Sequence, residues 1–156
     1  MEPEDLDTGT LALFVGFAAA THVQEVLARA GHPDLRFSHG YVFQHLIEDQ
    51  PTVGELASRL AMTQQGASKA VAELERFGYT ERVPDVRDGR TRRVRLTARG
   101  RDAVEVARRA RAELEDRLAE RCGRPRLEKA RALLAEALDE LGGTAAVRRR
   151  DVRPPR

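Results

Sequence analysis

The hydrophobic period of this chain changes once and then changes back, and that alternation limits the folds open to it. Up to Gly78, and again beyond Thr97, apolar residues recur at steps of three and four, the spacing of one helix face. Between those points the pattern is strand-like. Tyr79 to Val83 favours extended chain, and in Arg92 to Leu96 the apolar Val94 and Leu96 alternate with Arg93 and Arg95. The link between them, Pro84 to Thr91, is rich in Asp and Gly and reads as a long charged turn. One hairpin set among helices predicts a mainly α fold with a small β-hairpin. The 33% of charged residues suits long solvated helices better than a sandwich or barrel.

The helices are placed by their start and stop signals. Leu11 to Ala30 reads as the first, with Leu11, Phe14, Val15, Ala18, Val23, Val26 and Leu27 along it and Gly31-His32-Pro33 at its end. A second runs from about Ser38 to Glu48, with Ser38 as its N-cap and Tyr41, Val42, His45 and Leu46 on one face. Asp49-Gln50-Pro51 then breaks the chain. Thr52 to Leu60 is short but well started, because Thr52 and Glu55 form a capping box in which each side chain satisfies the other's orphan amide. After a tight Ala61-Met62 connection, Thr63 caps a helix to about Phe77, with Ala67, Ala70, Val71 and Leu74 as its apolar stripe. Gly78 suits the left-handed conformation that ends it.

Beyond the hairpin, Thr97 caps a long helix ending near Cys122, with Val104, Ala107, Leu114 and Leu118 on one side. Gly123-Arg124-Pro125 interrupts the chain. A last helix, about Arg126 to Leu141, carries Leu127, Leu133, Leu134, Ala137 and Leu138 as a seam. Residues 144–156 are basic, contain proline and show no periodicity, and read as a flexible tail.

Charge directs attention to the hairpin. The net charge of the 156 residues is only +2, so attraction for phosphate depends on where the cations sit. From Asp85 to Arg101 there are seven arginines and two aspartates, a local balance of +5. Just before the hairpin, the helix opening at Thr63 presents Thr63, Gln64, Gln65, Ser68 and Lys69, small polar or basic groups of the kind that read base edges in the major groove. Arg87 and Arg90 at the hairpin tip reach a neighbouring minor groove, and Arg92, Arg93 and Arg95 line the adjacent backbone. Asp85 and Asp88 make sense as carboxylates that orient the arginine forks. Taken singly, the helix also fits an ordinary solvated face, and the hairpin a charged edge that discourages aggregation. Side by side they favour a grip on duplex DNA.

The stretch TVGELASRLAMTQQGASKAVAELERFGYTERVPDVRDGRTRRVRLTARG resembles the core of the multiple-antibiotic-resistance regulator (MarR) family. The likeness rests on three places: Glu55 to Leu60 before the turn, Leu74-Glu75-Arg76-Phe77-Gly78-Tyr79 with Glu81-Arg82, and Asp88-Gly89-Arg90 leading to Leu96-Thr97-Ala98-Arg99-Gly100. Together these motifs cover about a third of the chain. The resemblance implies a winged helix-turn-helix lobe over residues 38–97 and a helical dimerisation framework from residues 1–37 and 98–143. It implies that the helix from Thr63 reads the major groove, that Arg90 enters the minor groove, and that Asp88 orients it. A homodimer on a pseudo-palindromic operator, acting as a repressor released by a small ligand, is the expected function. Apolar seams on the terminal helices, too long for the lobe to cover, point independently to a second subunit.

The resemblance implies a cleft between framework and lobe, where Phe14, Phe17, His22, His39, Tyr41 and Phe43, with Phe37 and His45 nearby, would form an effector pocket suited to an aromatic or phenolic ligand. Ordinary core and interface packing explains the same residues. His22, His32, His39 and His45 lack carboxylates or cysteines at zinc spacing, and Cys122 is a single cysteine that reads as an inert thiol; no metal or cofactor is expected. No glycine-rich phosphate loop, nucleophile elbow or zinc-protease motif is present, so no enzymatic activity is expected. No apolar run approaches the ~20 residues of a membrane span, and the acidic start lacks a signal-peptide pattern, so a cytoplasmic protein away from membranes is expected. The alternative to a DNA-binding dimer is a winged-helix module that docks a protein partner with an acidic surface.

Overall fold

The computed structural model describes residues 2–150. After a 3-10 turn at Pro3–Asp5 come α1 (Thr8–Arg29), α2 (His39–Phe43), α3 (Val53–Arg59), α4 (Gln64–Arg76), β1 (Thr80–Pro84), β2 (Arg92–Leu96), α5 (Ala98–Cys122), α6 (Arg124–Glu140) and α7 (Thr144–Arg148). The mainly α fold with one antiparallel hairpin is as the period change predicts.

The capping signals in the sequence are made as chemistry. Thr52 Oγ1 accepts from the Glu55 N–H at 3.1 Å, and the Glu55 carboxylate accepts from the Thr52 N–H at 2.7 Å. Thr63 and Thr97 each accept from the amide three residues on, Gly66 and Gly100, at 3.1 Å. Four helices end in the same reciprocal pair of backbone bonds. After α4, for example, the Gly78 N–H reaches Glu75 O and the Tyr79 N–H reaches Leu74 O, both at 2.9 Å. Gly78 accordingly has φ +77. After α3 the equivalent left-handed position is held by Ala61, at φ 40, a conformation an alanine adopts only where the connection is too tight for another.

The core lies where the hairpin, α4 and α5 meet the end of α1. Leu56, Leu74, Tyr79 and Val94 are fully buried in it, and each such aliphatic side chain contributes roughly 1.5–3 kcal/mol. The framework joins the lobe at Gly100, whose Cα approaches Tyr79 so closely that a Cβ would stand 2.1 Å from the Tyr79 carbonyl oxygen. The same joint holds His32, buried, with Nε2 2.9 Å from Asp102 of α5, and Arg99, whose guanidinium lies over the Tyr79 ring.

Several expectations are corrected. The second helix is one short turn, because beyond Phe43 the bonds tighten to three-residue steps, His45 N–H to Val42 O and Leu46 N–H to Phe43 O. Ser38 makes no side-chain cap there. The first helix begins earlier, at Thr8, where Asp7 accepts from the Thr10 N–H. At 22 residues it is long and apolar enough to cross a membrane by length and composition, contrary to the sequence expectation; Val23 and Leu27 anchor its second half in the core. On α5 the buried line runs through Ala103, Val106 and Ala110, while Val104 and Ala107 are partly covered. The alanines let α1 pack close. Residue 144 does not begin an unstructured tail: α7 follows, and Arg150 donates to Gln44 O at 2.9 Å and to both Glu48 carboxylate oxygens at 3.2 Å. Residues 151–156 of the expected tail lie outside the described residues.

Candidate nucleic-acid interface

The helical period decides which residues of α4 are offered to solvent. Ala67, Val71 and Leu74 face the core, which leaves Gln64, Gln65 and Lys69 exposed and Ser68 half-buried beside the Thr63 cap. Among the described residues the side chains of Gln64, Gln65 and Lys69 make no hydrogen bond or ion pair, so their donors and acceptors are open.

The hairpin that follows is more than two strands. Thr80 pairs with Leu96 and the register runs to Pro84 opposite Arg92. On the far side of β2, the Val94 N–H donates to Pro51 O at 2.8 Å, and Thr52 forms a bridge with Arg93. The segment read from sequence as a chain break is therefore a third, minimal strand. It stiffens a unit that would be marginal as an isolated hairpin.

Both loop aspartates act first on backbone. Asp85 Oδ1 accepts from the N–H groups of Arg87 at 2.6 Å and Asp88 at 3.2 Å. Asp88 accepts from the Arg90 N–H at 3.0 Å and from the Thr91 hydroxyl at 2.9 Å. Asp88 thus sets the position of Arg90 through its amide rather than its guanidinium. The five arginines that look alike in sequence divide sharply. Arg87, Arg90 and Arg92 pair with no carboxylate among the described residues. Arg95 is paired with Glu81 at 2.9 Å. Arg93 is bound through Nε to Asp85 Oδ2, through Nη1 to Gln50 O at 2.9 Å, and lies 3.5 Å from Glu55. The hydrogen bond from Arg93 is the main reason the Asp85 carboxyl is held below its ordinary 3.8, and Asp85 in turn pushes the Arg93 guanidinium up. Arg93, expected along the DNA backbone, is about one-third exposed and engages protein acceptors, because its position in β2 faces the Gln50–Thr52 segment.

The six residues expected to form an effector pocket have different surroundings in the single chain. His39 and Phe43 are buried, His39 with Nε2 3.5 Å from Glu73. Phe14 and Phe17 stand 57% and 55% exposed on α1. Tyr41 packs edge-on against Phe37, and His22 meets Arg117 at 3.2 Å. A cleft of about 650 Å³ does exist elsewhere, between residues 46–50 and the hairpin, lined by Ile47, Asp85, Arg87, Arg93 and Arg101 among others; none of the six enters it.

A capped helix, a tight turn, a second helix with an open polar face and an arginine-tipped hairpin define a winged helix-turn-helix protein. Residues 34–91 match the model of the MarR family, the family that the motifs resemble. Among curated proteins none matches. Solved structures share the fold. A mutant MepR of Staphylococcus aureus, bound to an oligodeoxyribonucleotide, is 22% identical with a TM-score of 0.64, over 88% of this chain and 99% of that one. MepR bound to ethidium bromide is 22% identical with a TM-score of 0.63, over the same shares. The transcriptional regulator Tm0710 of Thermotoga maritima is 21% identical with a TM-score of 0.61, over 93% and 97%. Over most of its length the chain shares the fold of these solved structures.

Proposed function

We propose that this protein is a sequence-specific DNA-binding repressor that works as a cytoplasmic homodimer on a pseudo-palindromic operator. The observation that carries this reading is the division of the hairpin arginines: among the described residues no carboxylate pairs with Arg87 or Arg90 of the loop or with Arg92 at the start of β2, and the loop backbone is held by Asp85 and Asp88. Unpaired guanidiniums on an ordered loop suit phosphate and minor-groove contact. Thr63, Gln64, Gln65, Ser68 and Lys69 would read the major groove from α4, with glutamine pairing bidentately to adenine.

The second subunit is supported by what the single chain leaves open. On α1, Leu13, Phe14, Val15 and Phe17 are all more than half exposed, and α6 buries no residue, with Leu133 at 60%. A C2 pair joined there would set two reading helices about one DNA turn, ~34–36 Å, apart. The relatives bound to DNA and to ethidium support duplex DNA and a small aromatic effector as partners, the effector acting by release.

Selection of duplexes from a random pool by the full chain tests the reading. An inverted repeat should emerge, and Gln65→Ala should change the preferred base more than the overall affinity. Enrichment of no motif, or the same motif from the variant, would contradict it.

A further inference from the structure

We propose that Arg93 is a wing-positioning residue: with Asp85, Gln50 and Glu55 it forms a clamp that fixes the arginine-tipped loop against the start of α3, and it acts on DNA only through that loop. The inference rests on the DNA-binding reading above. Two of the three guanidinium nitrogens of Arg93 face acceptors, Nε on Asp85 and Nη1 on Gln50 O and Glu55. The contacts reach Arg93 from two stretches of chain that local sequence does not join, the Gln50–Glu55 segment and the start of the loop. Asp85 opens the loop and already holds the Arg87 and Asp88 amides. Glu55 uses the same oxygen, Oε2, to cap α3 through Thr52. A rotation of the loop would therefore have to break the Asp85–Arg93 pair, or drag Arg93 off Gln50 and the capping box with it.

The consequence is mechanical. The loop between Pro84 and Arg92 is seven residues, and its tip carries Arg87 and Arg90 in solvent; Val86 beside them is wholly exposed. Asp88 holds the Arg90 amide and the Thr91 hydroxyl, bonds internal to the loop that shape the tip but cannot set its direction against the lobe. The clamp at its base can, and it lets Arg87 and Arg90 reach DNA without first being ordered by it.

Substitution of Asp85 separates this clamp from a direct phosphate contact, because the two predict opposite signs. Asp85→Asn keeps an oxygen for the Arg87 and Asp88 amides but removes the charge that holds Arg93. If Arg93 touched phosphate, losing a nearby negative charge would free it and tighten binding. The clamp requires the variant to bind its selected duplex about tenfold more weakly, as the loss of a charge-assisted pair that orders the site. Arg93→Gln should match it, and adding Arg90→Ala to Arg93→Gln should cost nothing more, since the tip is already adrift. A general loss of stability would leave the Arg90 contribution intact. Unchanged or tighter binding by Asp85→Asn, or additive losses, would overturn the proposal. Amide exchange at Arg87 and Asp88 in the DNA-free protein tests the clamp even where the wild-type chain selects no duplex: Arg93→Gln should speed it, and equal rates would refute the clamp.

Discussion

Arg90 and Arg93 stand three residues apart on one hairpin, and their surroundings give them different work. Arg90 is fixed at its amide by Asp88, and its guanidinium has no partner among the described residues, so its charge is available to a ligand. Arg90→Ala should weaken operator binding by roughly 1–3 kcal/mol and lower the log–log salt slope by about 1, the signature of one lost phosphate or groove contact. Titration of a labelled duplex at several salt concentrations measures both, and unchanged values would remove the loop from the interface. Arg93 has instead turned Nε and Nη1 to acceptors within the protein, and this carries a pH consequence. The Asp85 carboxyl is held below its ordinary 3.8, first by the Arg93 side chain and then by the Arg87 N–H. A depressed carboxylate stabilises the folded state fully above its unfolded pKa and loses that contribution as pH falls through the folded one. Across about pH 5 to 8 the loop should therefore stay equally ordered, loosening only in more acidic solution. Amide exchange corrected for its intrinsic pH dependence reads this directly, and loosening near neutrality would assign loop order to some other group.

At the scale of elements, the joint between α5 and the hairpin is the least forgiving contact in the fold. Thr97 donates its hydroxyl to Gly78 O at 2.6 Å and its N–H to Tyr79 O at 3.0 Å, which brings the first turn of α5 onto the backbone of Tyr79. Gly100 is the residue that permits it. Gly100→Ala should destabilise by about 2–3 kcal/mol, the upper range for overpacking, because the obstructing atom is main chain and has nowhere to retreat. Denaturant unfolding measures it; a loss under half a kcal/mol would show that the two elements slide apart freely. This joint also shows where sequence is informative. Caps and helix ends are interactions over three to five residues, so Thr52, Thr63, Thr97 and Gly78 announce them in order. The strand made by Gln50, Pro51 and Thr52 was invisible because its partner lies some forty residues on, and a proline usually argues against strand. The candidate site was legible in residue type but not in partner. Arg90, Arg93 and Arg95 differ only in what register places beside them, and register against a distant segment is not written locally.

For the whole molecule, the question is what covers the apolar surface that one chain cannot. The core is confined to the lobe and the adjoining parts of α1 and α5. Phe14 and Phe17 on α1, and Leu133, Leu134 and Leu138 on α6, stand outside it, each at least 39% exposed. Apolar rows of this kind on two helices suit a self-complementary interface, because a twofold axis uses the same patch twice. The core does not depend on these side chains, so Leu134→Glu should fold and yet fail to pair. The lobe would keep its reading helix and its loop, but a monomer engages one half-site where a dimer engages two. Linking two weak sites multiplies apparent affinity by about 10²–10⁴ without any new contact, so the variant should lose an amount in that range on a full operator while binding an isolated half-site as the wild type does. Light scattering gives the subunit count and gel shifts on the two duplexes give the affinities. A monomeric variant with undiminished operator binding would show that the two copies are not what joins the half-sites, and a dimeric one would place the interface elsewhere on the framework.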